Sequence, residues 1–443
     1  MTSTLRWCAL FVIVFGLLQT SARAQNAPAA PPEAAPAAVP PPAAEPPPPP
    51  PPPPPAVAEP APPPPMAPPP PAAAPAPLVP SQPPFKIETP NKSTVRIGLL
   101  LQPQYQAQSS ATLNSYSQDL YIRRTRVLIG GTLFGAFDYF FDTDYPNLFF
   151  ANREAPAMAG TPAAYPKATP GLNIQDAFGT WKALGDMLKV DVGYMLPPMS
   201  HNAVQGATTL YAWDYFAYTF QHTAVGVFNT TASSVGRDTG VQLRGLVLDG
   251  HLEYRAGLFQ GRRNSEGTDA TGAITDVGSR NFFRFTARVQ ANLLDAEPGF
   301  FYAGTYLGAK KILSVGGAID IQDSYRYYAG DVFLDMPLGP GVVTGQVDYS
   351  YWNGHSFITA LPKQSALAGE VGFLFLPIAI SPIFRFDHLW SDAAPNTSRY
   401  AGGLAFWPFG HNSNLKAFYT NIKEAGAPKS VNQINIQWQL YFF

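Results

Sequence analysis

Beyond residue 85, apolar and polar side chains alternate with a period of two, stretch after stretch. In "VRIGLLLQPQYQAQ", Val95, Ile97, Leu99, Leu101, Pro103, Tyr105 and Ala107 share one face, and Arg96, Gln102, Gln104, Gln106 and Gln108 the other. In "LFGAFDYFFDTD", Leu133, Phe137, Tyr139 and Phe141 oppose Asp138, Asp142 and Asp144. "NFFRFTARVQAN" sets Phe283, Phe285, Ala287, Val289 and Ala291 against Arg284, Thr286, Arg288, Gln290 and Asn292. "VVTGQVDYSY" sets Val343, Val347, Tyr349 and Tyr351 against Thr344, Gln346, Asp348 and Ser350. Successive side chains on a strand point to opposite faces, so each stretch predicts a β-strand with one apolar and one polar side. No amphipathic helix of useful length competes. The longest apolar run, "GFLFLPIAISPIF", is broken by Pro377 and Pro382 and predicts two strands around a turn near Pro377.

Two all-β architectures alternate in this way, a soluble sandwich and a membrane barrel. Many of the strands run about ten residues or more, as tilted membrane strands must, whereas sandwich strands average nearer six. Aromatics crowd the apolar faces, while Arg, Asp and Gln form rows on the polar ones. That is the outer-membrane pattern of a lipid side girdled by aromatic rings and a polar interior. Hydrocarbon offers no partner to backbone N–H and C=O groups, so such a sheet has to close on itself. The expected fold is therefore all-β, a transmembrane antiparallel β-barrel. Residues 85–443, at roughly 22 per strand with its share of loops, give about 16 strands, enough for an aqueous lumen.

The last ten residues, "INIQWQLYFF", fit the closing strand. Ile434, Ile436, Trp438, Leu440 and Phe442 would face lipid, and Asn435, Gln437 and Gln439 the lumen. An aromatic carboxyl end resembles the recognition signal of bacterial outer-membrane proteins. In that signal the last Phe holds the apolar register; here Phe442 does, so either Phe443 is an extra residue or the strand end is bulged.

Composition adds a second zone. The 443 residues include 49 prolines, and residues 25–84 are almost wholly Pro and Ala. Proline lacks the amide donor and fixes φ, which leaves a disordered or polyproline II segment, read as a periplasmic spacer. Residues 1–24 read as a signal peptide: Arg6, an apolar run from Cys8 to Leu18, and Ala22-Arg23-Ala24 as the cleavage site. Cys8 is the sole cysteine, so the mature chain has no disulfide and no thiolate metal site. Charged residues make up 13%. Setting aside Arg6, Arg23, Glu33, Glu45 and Glu59, bases and acids are equal in number. A neutral chain without a basic cluster is not a nucleic-acid binder.

Several stretches resemble the phosphate-selective porin O/P family of the bacterial outer membrane. They are "YIRRTRVLIGGTLFGAFDYFFDTDY", "NIQDAFGTWKALGDMLKVDVGYMLPP", "RDTGVQLRGLVLDGHLEYRAGLFQG" and "AGGLAFWPFGHNSNLKAFYTN", in the family's order. The resemblance implies a 16-stranded homotrimeric porin with lumen arginines and one loop folded inward as a constriction. By motif position Arg124, Arg126, Arg244 and Arg255 would line the pore. Alternation alone puts Arg96, Arg284, Arg288 and Arg385 there too. A guanidinium can replace part of an anion's hydration shell; the alternative is pairing with Asp138, Asp142, Glu253, Asp348 and Asp387 across the wall. The constriction position, residues 197–220, has no Lys or Arg. His201, Tyr211, Asp214 and Tyr215 are its candidates, although its Tyr and Trp would also suit interface anchors.

No i, i+4 histidine pair, HExxH, GxSxG or Walker sequence occurs. The expectation is a non-enzyme with no cofactor or metal. It would be a passive outer-membrane channel for small hydrophilic solutes, with an anion or phosphate preference as the finer expectation. Its partners would be membrane lipid, those solutes and two further copies of the chain. The competing expectation is a structural anchor whose Pro-rich arm tethers a periplasmic or cell-wall partner.

Overall fold

The computed structural model describes residues 85–443, apart from 112–113, 151–170, 225–226, 229–234, 264, 269–273, 277–281 and 298. The signal peptide and Pro-rich spacer expected from the sequence lie outside the described residues.

Sixteen antiparallel strands close a barrel. They are β1 (Thr94–Ser109), β2 (Tyr116–Leu133), β3 (Phe137–Asp144), β4 (Asn173–Trp181), β5 (Lys189–Met195), β6 (Asp238–Val247), β7 (Leu252–Phe259) and β8 (Arg284–Asn292). The second half is β9 (Ile312–Gln322), β10 (Tyr325–Leu338), β11 (Gly341–Asn353), β12 (Gln364–Phe375), β13 (Ile380–Ser391), β14 (Thr397–Phe406), β15 (Ser413–Glu424) and β16 (Val431–Phe442). Each strand pairs with its sequence neighbours, and β16 returns to β1 from Gln433↔Gln108 to Phe442↔Leu99. A short strand, Lys86–Glu88, pairs with the start of β1.

The faces follow the alternation. In β8 the buried side carries Arg284, Thr286, Arg288, Gln290 and Asn292. In β16 Ile436 and Trp438 are 40% and 47% exposed, while the alternating Gln437 and Gln439 are 1% and 0%. The outer surface is thus apolar and bare, and the inner one polar and covered. That inverts a water-soluble protein and matches a bilayer. The run around Pro377 does form two strands, β12 and β13, joined by a turn at 376–379.

The terminal aromatics settle the end of the barrel. Phe442 closes β16 on the outer face, where its ring lies 5.5 Å from Phe85. Phe443 is the extra residue, continuing the alternation inward. Its ring lies 5.7 Å from Phe140, under the Arg96 guanidinium at 4.7 Å. The slot exists because Gly98 and Gly130 line it. A Cβ on Gly98 would overlap the Phe442 carbonyl and fall 2.7 Å from Phe443 Cβ, and one on Gly130 would lie 2.8 Å from Phe443 Cζ.

Sixteen strands alone predict an open, water-filled lumen, and the structure departs from this. The interior is largely filled by two connections that fold inward, residues 196–224 from one end of the barrel and 293–311 from the other. The second lies at the end that carries Phe85, Phe443 and the short turns, which in such barrels is the periplasmic end.

Gly98→Ala is expected to unseat Phe443 and lower the barrel's thermal unfolding midpoint in detergent, at a cost of about 1–3 kcal/mol. Gly402→Ala, where an added Cβ meets nothing within 4 Å, leaves the midpoint unchanged.

Candidate functional site

The two inward connections meet inside the barrel. Gln205 and Tyr302 form a parallel bridge. Tyr302 N donates to Val204 O at 2.9 Å, Gly206 N to Tyr302 O at 3.0 Å, and Gly304 N to Thr209 O at 2.6 Å. Neither segment is a regular element apart from a 3-10 turn at Gln221–Thr223. Most of their backbone groups therefore need partners from elsewhere, or pay for being buried without them.

The wall supplies those partners. Arg288 Nη1 donates to Met199 O at 3.0 Å, and Arg385 Nη1 to Asp214 O at 2.7 Å. A second Arg385 nitrogen bonds Tyr215 O. Lys416 Nζ donates to Leu210 O and Ala212 O at 2.7 and 2.9 Å. Arg255 holds the other segment, donating to Phe300 O and Gly299 O at 2.8 and 2.9 Å. Wall carboxylates take the segments' N–H groups in the same way. His201 N donates to Asp331 at 3.1 Å, Asn202 N to Asp348 at 3.1 Å, Ala217 N to Asp387 at 2.7 Å, and Tyr306 N to Asp335 at 3.2 Å. Hydrogen bonds to charged groups are worth about 1.5–3 kcal/mol each, so the set clamps both segments.

The same arginines are paired with carboxylates. Arg126 meets Asp142 and Asp144, each at 3.1 Å; Arg244 meets Asp191 at 2.8 Å; Arg255 meets Glu253 at 2.7 Å. Arg284 meets Asp320 at 2.5 Å, Arg288 meets Asp331 at 2.6 Å, and Arg385 meets Asp387 at 3.0 Å. Arg124 reaches Asp214 at 2.5 Å. Of the arginines read from the sequence, Arg96 alone has no ion pair among the described residues and packs on Phe443 instead. All eight project inward, yet seven have their charge matched locally. The pairing alternative holds at Asp142, Glu253 and Asp387; Asp138 instead meets Lys182 at 2.9 Å, and Asp348 takes Asn202 N.

The four loop candidates all lie in the first inward segment. Asp214 is gripped by Arg123 at 2.9 Å as well as Arg124. Burial opposes its charge, but the two guanidiniums outweigh that and hold its carboxyl well below the usual range. Tyr215 donates to Gln205 O at 2.8 Å, folding the segment on itself. Tyr211 is fully buried and stacks 6.3 Å from Trp407. None of these three is an interface anchor.

His201 sits at the seam between the segments. Its Nε2 lies 3.0 Å from Glu297 Oε2, its Nδ1 3.2 Å from Gln346 Oε1, and its ring is stacked between Tyr302 and Phe333 at 5.0 and 4.3 Å. Burial alone would lower its pKa; the charge and hydrogen bond of Glu297, with Asp331 behind, raise it above the ordinary 6.5. Burial would raise the Glu297 carboxyl; the charge and hydrogen bond of His201, then bonds from Tyr306 and Gln290, bring it below 4.5.

Glu297, Arg123, Lys416 and the whole second segment escape the sequence pattern. The available signal is "LLDAEPGFFYAGTYLGAKK", a non-alternating run too long for a turn at that end of a barrel. Among the described residues no group of three or more metal-ligating side chains occurs.

No protein-family profile and no curated protein matches the chain. Among solved structures it is similar to the anion-selective porin from Comamonas acidovorans, at 12% identity over 79% of this chain and 100% of that one, with a TM-score of 0.51. The outer membrane channel DcaP of Acinetobacter baumannii is 12% identical over 80% and 99%, with a TM-score of 0.48. A BenF-like porin from Pseudomonas fluorescens Pf-5 is 10% identical over 79% and 98%, with a TM-score of 0.42. At these identities the likeness is one of fold, carried by the first, and the fold is that of an outer-membrane porin.

The His201–Glu297 pair contributes fully below the ordinary histidine value and is lost as pH rises through the raised one. Its acid limit is set by Glu297, whose contribution is present above 4.5 and lost as pH falls through its lowered value. Raising the pH above 6.5 is therefore expected to loosen the seam. Protection of the Gly206, Tyr302 and Gly304 amides, taken as exchange relative to the intrinsic base-catalysed rate at each pH, should fall about tenfold or more, and His201→Gln should abolish that pH dependence of the protection.

Proposed function

We propose that the chain is a passive channel of the bacterial outer membrane for small hydrophilic solutes, narrowed by two clamped segments. The observation that supports this most is the pairing of a closed barrel, bare and apolar outside, with a charged and hydrogen-bonding interior. Fixed inward segments would reduce a wide lumen to a narrow path, as passive filtering requires. A homotrimer belongs to the same reading through the family resemblance.

The finer question is ion preference. The resemblance to phosphate-selective porins implies anions. The interior argues otherwise: among the described residues thirteen buried Asp and Glu stand against nine buried Lys and Arg. The arginines named above are mostly neutralised by partners, and the first segment brings no Lys or Arg between residues 197 and 220. An anion entering this lumen would find few unpaired donors to replace its water. Neutral and cationic solutes are favoured over phosphate.

Purified protein in planar bilayers should give ohmic single-channel currents, and a KCl gradient should give a reversal potential of the sign for K⁺ preference. Absence of current rejects the channel; a potential of the opposite sign restores the anion reading.

The tether reading is kept alive by one observation. Lys86–Glu88 pairs with β1 at the end bearing the short turns, so the chain enters the barrel from the side where a periplasmic arm belongs. Deleting residues 27–84 separates the two: a channel keeps its conductance and the cells keep their envelope cohesion, whereas a tether loses cohesion with conductance intact.

A further inference from the structure

One stretch of the inner wall carries neither charge nor core. Resting on the channel reading, its chemistry names a solute class. Where β16 closes on β1, the inward residues are amides throughout: Gln102, Gln104, Gln106 and Gln108 face Gln433, Asn435, Gln437 and Gln439. They join across the seam. Gln102 Nε2 donates to Gln439 Oε1 at 2.8 Å, Gln437 Nε2 to Gln104 Oε1 at 2.8 Å, and Gln433 Nε2 to Gln108 Oε1 at 3.1 Å. Such bonds would fasten the seam whatever passed it. The lower amides are buried, and Gln439 also donates to Thr208 O of the first inward segment. Gln106, Gln108 and Gln433, nearer the outer mouth, stay partly exposed.

The first segment crosses the barrel at the foot of these three. Trp213 packs on Phe418 of β15 at 4.6 Å; Phe418 pairs in register with Asn435, and Asn435 with Gln106. Trp213 is partly exposed, and its Nε1–H is open, with no acceptor among the described residues. Gln108 lies two residues beyond Gln106, about 7 Å along β1. Its Oε1 accepts from Gln433, while its NH₂ is open and donates to nothing among the described residues. The other side of the outer half is closed by an apolar core, where Tyr325, Tyr327 and Trp352 pack with Leu196 and Met199. A solute entering from outside is therefore led over Trp213 and along the amides.

Charge narrows the choice. Arg123 and Arg124 both hold Asp214, and Asp119 is the register partner of Gln106, so two guanidiniums stand with two carboxylates. An ion of either sign meets no net opposite charge here. Arg399 has no ion pair among the described residues, but it stands further round, on β14, over Tyr218 at 5.6 Å.

We propose that this outer mouth binds neutral polyhydroxylated rings, the chemistry of a sugar. A pyranose has apolar C–H faces and a rim of hydroxyls. One face lies on the Trp213 ring, as apolar surface does on an indole whose polar edge stays wet. The hydroxyls, each donor and acceptor, meet amides that are also both. Trp213 Nε1–H and the Gln108 NH₂ donate to hydroxyl oxygens, and the amide oxygens of Gln106 and Gln433 take hydroxyl protons on their second lone pairs. Solutes of this class are held briefly at the outer mouth before passing inward.

The test uses the full chain in micelles of a detergent without a sugar headgroup, read by saturation-transfer NMR. Methyl glucoside is the probe; glucuronate, glucosamine and cyclohexanol add a negative charge, add a positive charge and remove the hydroxyl rim. Saturable glucoside binding is expected, with cyclohexanol about tenfold weaker or more and neither charged sugar tighter than the glucoside. Trp213→Leu should weaken glucoside binding about tenfold, and Gln108→Leu about fivefold. Should Trp213→Leu fail to fold, Gln108→Leu, at a partly exposed position, decides. Non-saturable binding, cyclohexanol equal to the glucoside, a tighter charged sugar, or a folded variant without effect overturns the proposal. Micelle binding does not depend on conduction. A silent bilayer beside saturable glucoside binding sinks the channel alone; normal currents without saturable binding sink the site alone.

Discussion

Buried peptide groups must be hydrogen-bonded, and this barrel meets that rule in two ways. In the wall the ladders of sixteen strands satisfy one another. In the lumen two irregular segments run where no ladder exists. Their partners are charged side chains: Arg288, Arg385, Arg255 and Lys416 take carbonyls, and Asp331, Asp348, Asp387 and Asp335 take N–H groups. A polar inner face is usually explained by the water it touches. Here much of it is explained by the backbone it holds.

This changes what the arginines mean. A guanidinium with five donors can serve a carboxylate and a loop carbonyl together, and Arg288, Arg255 and Arg385 each do so. Buried ion pairs of this kind add little net stability against an apolar substitute, but losing one partner leaves a stranded charge at a cost of about 3–5 kcal/mol. The clamps therefore act mainly by fixing geometry. The carboxylates that balance them also shape the field inside the barrel, so inward arginines do not by themselves make an anion filter.

Much of the wall was legible from period two. The inward set of β8 and the outward set of β16 follow residue by residue, because a strand offers only two faces and one of them must meet hydrocarbon. The turn at 376–379 was legible from Pro377. Alternation does not tell what an inward side chain touches. Arg385 meets Asp214 O across 171 positions and Lys416 meets Leu210 O across 206, distances over which a single sequence carries no pairing signal. The 293–311 segment was missed for the same reason. Its Glu297 and Tyr302 are specified by partners on other elements, not by a local period. Phe443 lay between the cases: its surplus over the apolar register was visible, but its slot depends on glycines in two other strands.

The density of clamps also bears on what can move. Withdrawing the first segment from the wall would break bonds to Arg288, Arg385, Lys416, Asp331, Asp348 and Asp387 together, each charge-assisted. At about 1.5–3 kcal/mol apiece this is beyond thermal reach in one step. The contact between the two segments is different. It rests on three backbone bonds, on Thr209 Oγ1 and Gln205 Nε2 donating to Tyr302 O and Ala303 O, and on His201 with Glu297, a pair whose charge state depends on pH. Motion in the lumen is thus directed to that seam, with each segment held to its own stretch of wall. On the channel reading, the two segments would act as a fixed aperture with one compliant joint, and a cavity beside Phe140 lies against the segments that meet there.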